Sequence, residues 1–450
     1  MDEMTGDLPD GTICVIGLGY VGLTLAVALA GAGFRVEGIE INPAVVAQLK
    51  EGRPQFYEPG LEDALGRLIA AKRLTVHQEI PEKSDATVYI ITVGTPLDAE
   101  GQVRLDMISR SAKDIARVMK PNDMVIMRST VRLGATRDIV IPILESAGVP
   151  FDIAFCPERT VEGQALAELP WLPQVVGATT MSARVRAARL FNFITPTVVQ
   201  VPQLEVAEMI KLIDNTFRDV TFAFANEVAE MCEVANINVV DVIKAGKLGY
   251  PRTNLPMPGP VGGPCLAKDP HILADGLRDR GFEPEIVATA RRLNEKQPAL
   301  VVSRIKAYVD NAKDIPQKPV IALLGLAFKG RPVTDDLRGT MAKPILDALR
   351  ESFPQATYRG FDAMVRAEDM RKTFDIEPIA TIEEAMRGAH IAVIANNHPC
   401  FQSMSLERMA EGMARPGLIY DFWNNFDGRK VELPDGVHYG SLGCTDWANL

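Results

Sequence analysis

The segment Gly262-Gly263-Pro264-Cys265-Leu266-Ala267-Lys268-Asp269 sets a thiol in a glycine- and proline-rich loop beside an ammonium and a carboxylate. Cysteine is usually a small buried hydrophobe. In an open loop next to a cation its thiolate is stabilised and approachable, as a nucleophile must be. Lys211 and Asn215 stand four apart, hence on one face of a helix. They read either as a solvated polar stripe or as a lysine and an amide that stabilise a developing oxyanion. Cys156-Pro157-Glu158-Arg159-Thr160-Val161-Glu162-Gly163 puts a carboxylate just past a predicted strand end, where it can act as acid or base. Paired with a hydride acceptor, such a set suits aldehyde-level chemistry: thiohemiacetal, hydride loss, thioester, hydrolysis.

A hydride acceptor has a place to sit. Gly17-Leu18-Gly19-Tyr20-Val21-Gly22 follows a predicted strand and opens a predicted helix, the setting of a dinucleotide-binding turn. Glu40 ends the second predicted strand, where a carboxylate takes ribose hydroxyls and repels a 2′-phosphate, favouring NAD over NADP. Two more strands end in Val93-Gly94-Thr95-Pro96 and Ser129-Thr130-Val131, either cofactor-lining residues or ordinary turns. Toward the C-terminus, Gly325-Leu326-Ala327-Phe328-Lys329-Gly330-Arg331 and the later Arg338 concentrate cations after a strand. The Lys-Ser/Thr of a triphosphatase loop is missing, but a diphosphate could be held. Arg252 adds a cation near the thiol loop.

These residues need elements to carry them. Strands are predicted at 12–16, 34–41, 88–93, 124–127 and 153–156, with a helix at 20–33. They are apolar throughout rather than alternating, as in parallel βαβ units covered on both faces. From 203 to about 236, Val206, Met209, Ile210, Ile213, Phe217, Val220, Phe224, Val228 and Met231 recur at helical spacing, uninterrupted by glycine or proline. At ~1.5 Å per residue such a helix spans about 50 Å, a connecting spine and a candidate dimer surface. A functional loop at 246–269, a helix at 283–309 and a linker at 312–319 follow. A second α/β set has strands at 320–324, 357–361, 391–395 and 418–421, and the two ends resemble each other in type.

The 450 residues, 47% hydrophobic and 24% charged, suit two or three folded domains. A net charge of −10 leaves no general footprint for nucleic acid or anionic lipid. The uncharged stretch 13–34 is preceded by acidic residues and broken by glycines, the wrong setting for a signal or membrane segment. The six cysteines, at 14, 156, 232, 265, 400 and 444, form no framework, and the five histidines no metal-ligand spacing. A cytoplasmic protein with reduced thiols and no zinc is expected.

In order, GLGYVG, VGTP, STV, CPERTVEG, GGPCLAKD and GLAFKGRPVTDDLR resemble the UDP-glucose/GDP-mannose dehydrogenase family over nearly the whole chain. The resemblance implies oxidation of a nucleotide sugar's C6 alcohol to a carboxylate with two NAD+ and no metal. It implies an α/β fold of two Rossmann-like doubly wound domains, 1–202 for NAD and 312–450 for the nucleotide sugar. A central helical domain, 203–311, would join them and carry the spine helix and thiol loop. Cys265 would be the nucleophile. Lys211 and Asn215 would assist proton transfer and the oxyanion, Glu158 acid/base work and thioester hydrolysis, with Asp269 beside them. Cofactor contacts would come from Gly17, Leu18, Gly19, Tyr20, Val21, Gly22, Glu40, Thr95, Thr130, Glu162, Lys268 and Arg338. Substrate contacts would come from Glu158, Arg159, Lys211, Asn215, Arg252, Gly262, Phe328 and Lys329, with Arg252 reaching a neighbouring subunit of a homodimer.

Departures from the UDP-glucose pattern bear on the sugar. Arg159 and the segment Tyr420-Asp421-Phe422-Trp423-Asn424 resemble the branch acting on N-acetylated sugars, while Lys268 and the 258–263 loop differ from its bacterial members. UDP-N-acetylmannosamine is the expected substrate, with UDP-glucose and UDP-N-acetylglucosamine as alternatives. Two remoter readings are a two-electron dehydrogenase of the 6-phosphogluconate type, which needs no thiol, and a non-catalytic sugar-nucleotide or NAD sensor. The presence together of Cys265, Lys211, Asn215 and Glu158 argues against the sensor.

Overall fold

Five consecutive residues of β1 (Thr12–Ile16) are all buried, which requires cover on both faces of its sheet. The computed structural model describes residues 11–98, 101–312 and 315–444. They form two compact units, Met1–Asp214 with His271–Glu283, and Asn215–Pro270 with Pro284–Leu450.

The first unit is built on eight strands. After β1 come β2 (Arg35–Ile39), β3 (Leu74–His77), β4 (Val88–Ile91), β5 (Asp123–Met127), β6 (Phe151–Phe155), β7 (Gln174–Ala178) and β8 (Val198–Val201). Their order is β3-β2-β1-β4-β5-β6-β7-β8, so the chain reverses direction across the sheet between β1 and β4. One face packs on the Tyr20–Gly31 and Met181–Phe191 helices through Leu23, Val27, Ala187 and Phe191. The other packs on the Asp106–Ala116 helix through Ile108, Ala112 and Ile115. The helix expected at 20–33 stops at Gly31, and Gly33 takes φ +108° to turn into β2.

The expectation of parallel pairing is corrected at one place, because β7 runs antiparallel to β6. Between them lies only the four-residue helix Ala165–Glu168, with no full crossover helix to return the chain to the same edge.

The second unit has six strands: β9 (Val320–Leu324), β10 (Thr357–Phe361), β11 (Glu377–Pro378), β12 (Ile391–Ile394), β13 (Gly417–Asp421) and β14 (Val437–Ser441). All its pairings are parallel, in the order β11-β10-β9-β12-β13-β14. This repeats the order of the first six strands of the other unit. The spine is a single helix, Leu204–Ala235, and a second long helix, Glu285–Asn311, carries Pro298 within it. Among the described residues no helix is long and apolar enough to cross a membrane.

Candidate active site

The glycines of the first βα turn do three different jobs. Gly17 takes φ +92° and donates its N–H to the Ile39 carbonyl at 2.8 Å; a Cβ there would lie 2.9 Å from Val93 Cγ1. At Gly22 a Cβ would stand 1.9 Å from the Gly17 carbonyl oxygen, so only glycine lets the helix pack on the turn. Gly19 is exposed, with nothing within 4 Å of an added Cβ, and it caps the Tyr20–Gly31 helix without a side-chain bond. The helix N–H groups are therefore open to a pyrophosphate. Glu40 accepts from the N–H groups of Leu18 (3.3 Å) and Asn42 (2.9 Å), which aims its carboxylate across the turn. Buried Leu18 fills the space over Gly38. Val21 is half-buried in the helix's first turn. Thr95 Oγ1 donates to the Thr130 carbonyl at 2.6 Å, bringing those two predicted residues together. The set fits NAD.

Tyr20 has a second use. Its hydroxyl donates to Glu58 and accepts the Gly163 N–H at 2.7 Å. Glu58, 5% exposed, also accepts the N–H groups of Gly163 (2.8 Å) and Leu166 (3.2 Å). Burial and Glu58 push the Tyr20 hydroxyl well above the ordinary tyrosine range. The loop carrying half-buried Glu162 is thus tied to the cofactor turn. The sequence reading missed Glu58.

Glu158 is buried and fully engaged. Arg128 Nε and Nη2 donate to its Oε2 at 3.1 and 2.5 Å, while the N–H groups of Arg159 and Thr160 donate to Oε1 at 2.7 and 2.8 Å. Burial raises its pKa, but Arg128, the Thr160 N–H and Lys211 outweigh burial and hold the carboxyl below its usual range. It is therefore an ionised carboxylate at neutral pH. Arg128, also missed from sequence, donates further to the carbonyl of Cys156 and to Gln174. Arg159 pairs with Asp214 at 2.9 Å. Lys211 lies on the spine helix and is 9% exposed.

In the second unit Cys265 is exposed on the short helix Gly263–Leu266. Gly263 has φ +89° and donates to the Gly339 carbonyl at 2.7 Å; a Cβ on it would meet the Phe328 ring at 2.4 Å. A Cβ on Gly262 would lie 2.2 Å from the Gly339 oxygen. The paired glycines therefore let the thiol loop lie flat on the segment bearing Phe328 and Lys329, whose ammonium sits 5.1 Å from the Phe328 ring centroid. Four residues on from the thiol, Asp269 Oδ2 accepts a hydrogen bond from Nδ2 of buried Asn215 at 2.5 Å. Lys268 Nζ approaches the other oxygen, Oδ1, at 3.9 Å, and that buried oxygen accepts no hydrogen bond from the described residues. Arg338 is gripped by Asp336 at 2.6 Å, and exposed Arg252 lies over the Tyr250 ring.

Asp362, just past β10, was also missed. It accepts the N–H groups of Leu326 (2.6 Å) and Ala327 (2.9 Å) in the turn after β9, much as Glu40 accepts that of Leu18. Gly325, φ +84°, donates to the Phe361 carbonyl at 2.8 Å, as Gly17 does to Ile39. Among the described residues no cluster of His, Cys, Asp and Glu could hold a metal ion.

A doubly wound sheet with an open glycine turn and a carboxylate past its second strand, followed by an exposed thiol on a second nucleotide-type fold, defines an NAD-dependent dehydrogenase. Sequence profiles of the UDP-glucose/GDP-mannose dehydrogenase family match residues 11–195 (NAD binding domain), 205–296 (central domain) and 322–428 (UDP binding domain). The chain belongs to this family of NAD-dependent nucleotide-sugar dehydrogenases. It is 31% identical to a UDP-N-acetyl-D-mannosamine dehydrogenase of Pyrococcus horikoshii over 96% of this chain and 99% of that protein. It is also 31% identical to an NDP-N-acetyl-D-galactosaminuronic acid dehydrogenase of Ralstonia nicotianae, over 90% of this chain and 94% of that one. The solved UDP-D-ManNAc dehydrogenase of P. horikoshii superposes with a TM-score of 0.86 at 31% identity, covering 97% of this chain and all of the other.

Proposed function

We propose that the protein oxidises UDP-N-acetyl-D-mannosamine at C6 to UDP-N-acetyl-D-mannosaminuronate. The observation that carries this reading is the exposed Cys265 thiol, held by Gly262 and Gly263 against the segment of Phe328 and Lys329. The N-acetylmannosamine enzymes among its relatives, matched along nearly their whole length, support the choice of sugar.

When bound, NAD+ supplies the hydride acceptor, once for each of two oxidations. The chain's residues do the rest. Lys211 takes the C6 hydroxyl proton, and Asn215, fixed by Asp269, donates to the C6 oxygen as charge builds on it. The Cys265 thiolate then adds to the aldehyde carbon, and the resulting thiohemiacetal loses its hydride to leave a thioester. Asp269 Oδ1 accepts a hydrogen bond from the water that attacks the thioester, releasing the carboxylate and restoring the thiolate. Overall, one alcohol, one water and two NAD+ give one carboxylate, two NADH and three protons. Glu158, held ionised by Arg128, fixes the loop on the cofactor side.

We further propose a homodimer. Phe217, Phe224 and Met231 repeat every seven residues on the spine helix and are 66%, 53% and 53% exposed, an apolar stripe suited to a second copy. Arg252 would serve the neighbouring subunit's substrate.

Incubation with NAD+ and, separately, UDP-N-acetylmannosamine, UDP-N-acetylglucosamine, UDP-glucose and GDP-mannose tests the reading. Two NADH per molecule of the first sugar are expected. One NADH per sugar would remove the thioester route, and preference for another sugar would replace the substrate.

A further inference from the structure

The thiol loop is bolted to two helices at points on either side of Cys265. On the spine helix, Asn226 is fully buried and holds both backbone groups of Gly259. Its Oδ1 accepts the Gly259 N–H at 2.9 Å, and its Nδ2 donates to the Gly259 carbonyl at 3.1 Å. On the Glu285–Asn311 helix, Arg291 donates Nη1 to the carbonyl of Leu266, the residue after Cys265, at 2.7 Å. The same Nη1 reaches Asp219 Oδ1 at 2.7 Å. Asn294 closes the circuit: its Nδ2 donates to Asp219 Oδ1 (2.8 Å) and its Oδ1 accepts from Asn226 Nδ2 (3.0 Å). All four side chains are buried.

The far side of the loop is blocked as well. A Cβ on Gly259 would strike the Trp423 ring at 2.7 Å, and that ring is fixed by its Nε1 bond to the Ala395 carbonyl at 2.9 Å. Gly259 is therefore clamped between an amide and an indole. Two buried amides and a buried Arg–Asp pair are a poor way to gain stability, since apolar side chains of the same volume serve as well. What they add is a fixed position for the backbone at residues 259 and 266.

We propose that Asn226 and Arg291, joined through Asn294 and Asp219, are positioning residues that set where the Cys265 thiol meets the substrate aldehyde. This rests on Cys265 being the nucleophile of the oxidation proposed above. Thiol addition needs the sulfur within ~3–3.5 Å of the carbonyl carbon along a narrow approach, whereas the first hydride transfer does not involve the thiol. A displaced loop therefore slows the second oxidation selectively, and aldehyde escapes.

The test compares Asn226→Ala, Arg291→Met, Arg291→Lys and Cys265→Ser with the unaltered enzyme. NADH, uronate and hydroxylamine-trapped aldehyde are measured together with the unfolding midpoint. Asn226→Ala and Arg291→Met are expected to lower kcat for uronate roughly 10- to 100-fold, with KM for the nucleotide sugar changed less than about threefold and aldehyde trapped. Arg291→Lys still offers a donor to Leu266 and a charge to Asp219, and restores most of the uronate. Should Arg291→Met fail to fold, Asn226→Ala decides alone. Uronate formation by Asn226→Ala within twofold of the unaltered enzyme, or equal loss in both oxidations, overturns the proposal. If Cys265→Ser itself completes both oxidations, the thiol reading falls instead. A stalled Cys265→Ser beside an unimpaired Asn226→Ala removes only the positioning role.

Discussion

At the residue scale the Arg128–Glu158 pair has a measurable electrostatic signature. Glu158 is held below the usual carboxylate range, so its contribution to stability is complete above the unfolded-state pKa, about 4.3, and is lost as pH falls through its lower folded value. Replacing Arg128 by methionine removes the bonded partner of a buried carboxylate and leaves Lys211 and the Thr160 N–H to offset burial, at an expected cost of up to about 3–5 kcal/mol at pH 7. With Arg128 gone the Glu158 pKa moves upward, because the Thr160 N–H and Lys211 then oppose burial without the guanidinium, so the variant's deficit shrinks as the pH falls through that higher value. Thermal melts across pH 4–8 read this directly, and a deficit independent of pH would show that the charge is not its source. Cys265 and the Gly17–Gly22 turn were visible in sequence because their residue types are informative where they stand. Arg128, Glu58 and Asp362 were not, because each acts on partners 30 or more positions away, such as Glu158, Gly163 and Leu326. Lone charged residues carry no local signal of that kind.

At the scale of the element, two glycines of one helix make opposite predictions. Gly22→Ala drives a methyl into the Gly17 carbonyl and should weaken NAD+ binding at least about 100-fold, measured by equilibrium titration. Gly31→Ala meets open space at the helix end; it should leave NAD+ affinity unchanged and raise stability by up to about 1 kcal/mol. Equal effects of the two would contradict the packing read at Gly22. Among the strands found from sequence, β4, β9 and β12 lie inside a sheet and are apolar throughout, whereas β10 carries Thr357 and Arg359 and is buried only at its Gly360–Phe361 end. Those missed have other patterns. β3 alternates buried and exposed residues, β8 is half exposed at the sheet edge, and β11 has two residues. Buried β7 hid behind Gln174, a polar side chain bonded to Arg128, and Gly177, which admits the Gln203 carbonyl.

At the scale of the whole molecule, the spine-helix stripe predicts assembly. Phe224→Arg should shift sedimentation toward the monomer, and an unchanged dimer would move the interface elsewhere on the chain. The likeness of the two chain ends was legible in sequence as kind, and the structure gives it as identical strand order around the turn. The two turns nevertheless differ. Gly19 leaves N–H groups open, whereas the N–H groups of Leu326 and Ala327 are already taken by Asp362. With those two N–H groups occupied, a diphosphate on the second unit is expected to rely more on side chains such as Lys329 than a pyrophosphate on the first turn does. Charges at the reach of flexible side chains are screened by added salt over a Debye length of about 8 Å at physiological ionic strength. Rising potassium chloride should therefore raise KM for the nucleotide sugar more steeply than KM for NAD+, making ionic strength a selective control on one substrate of the pair.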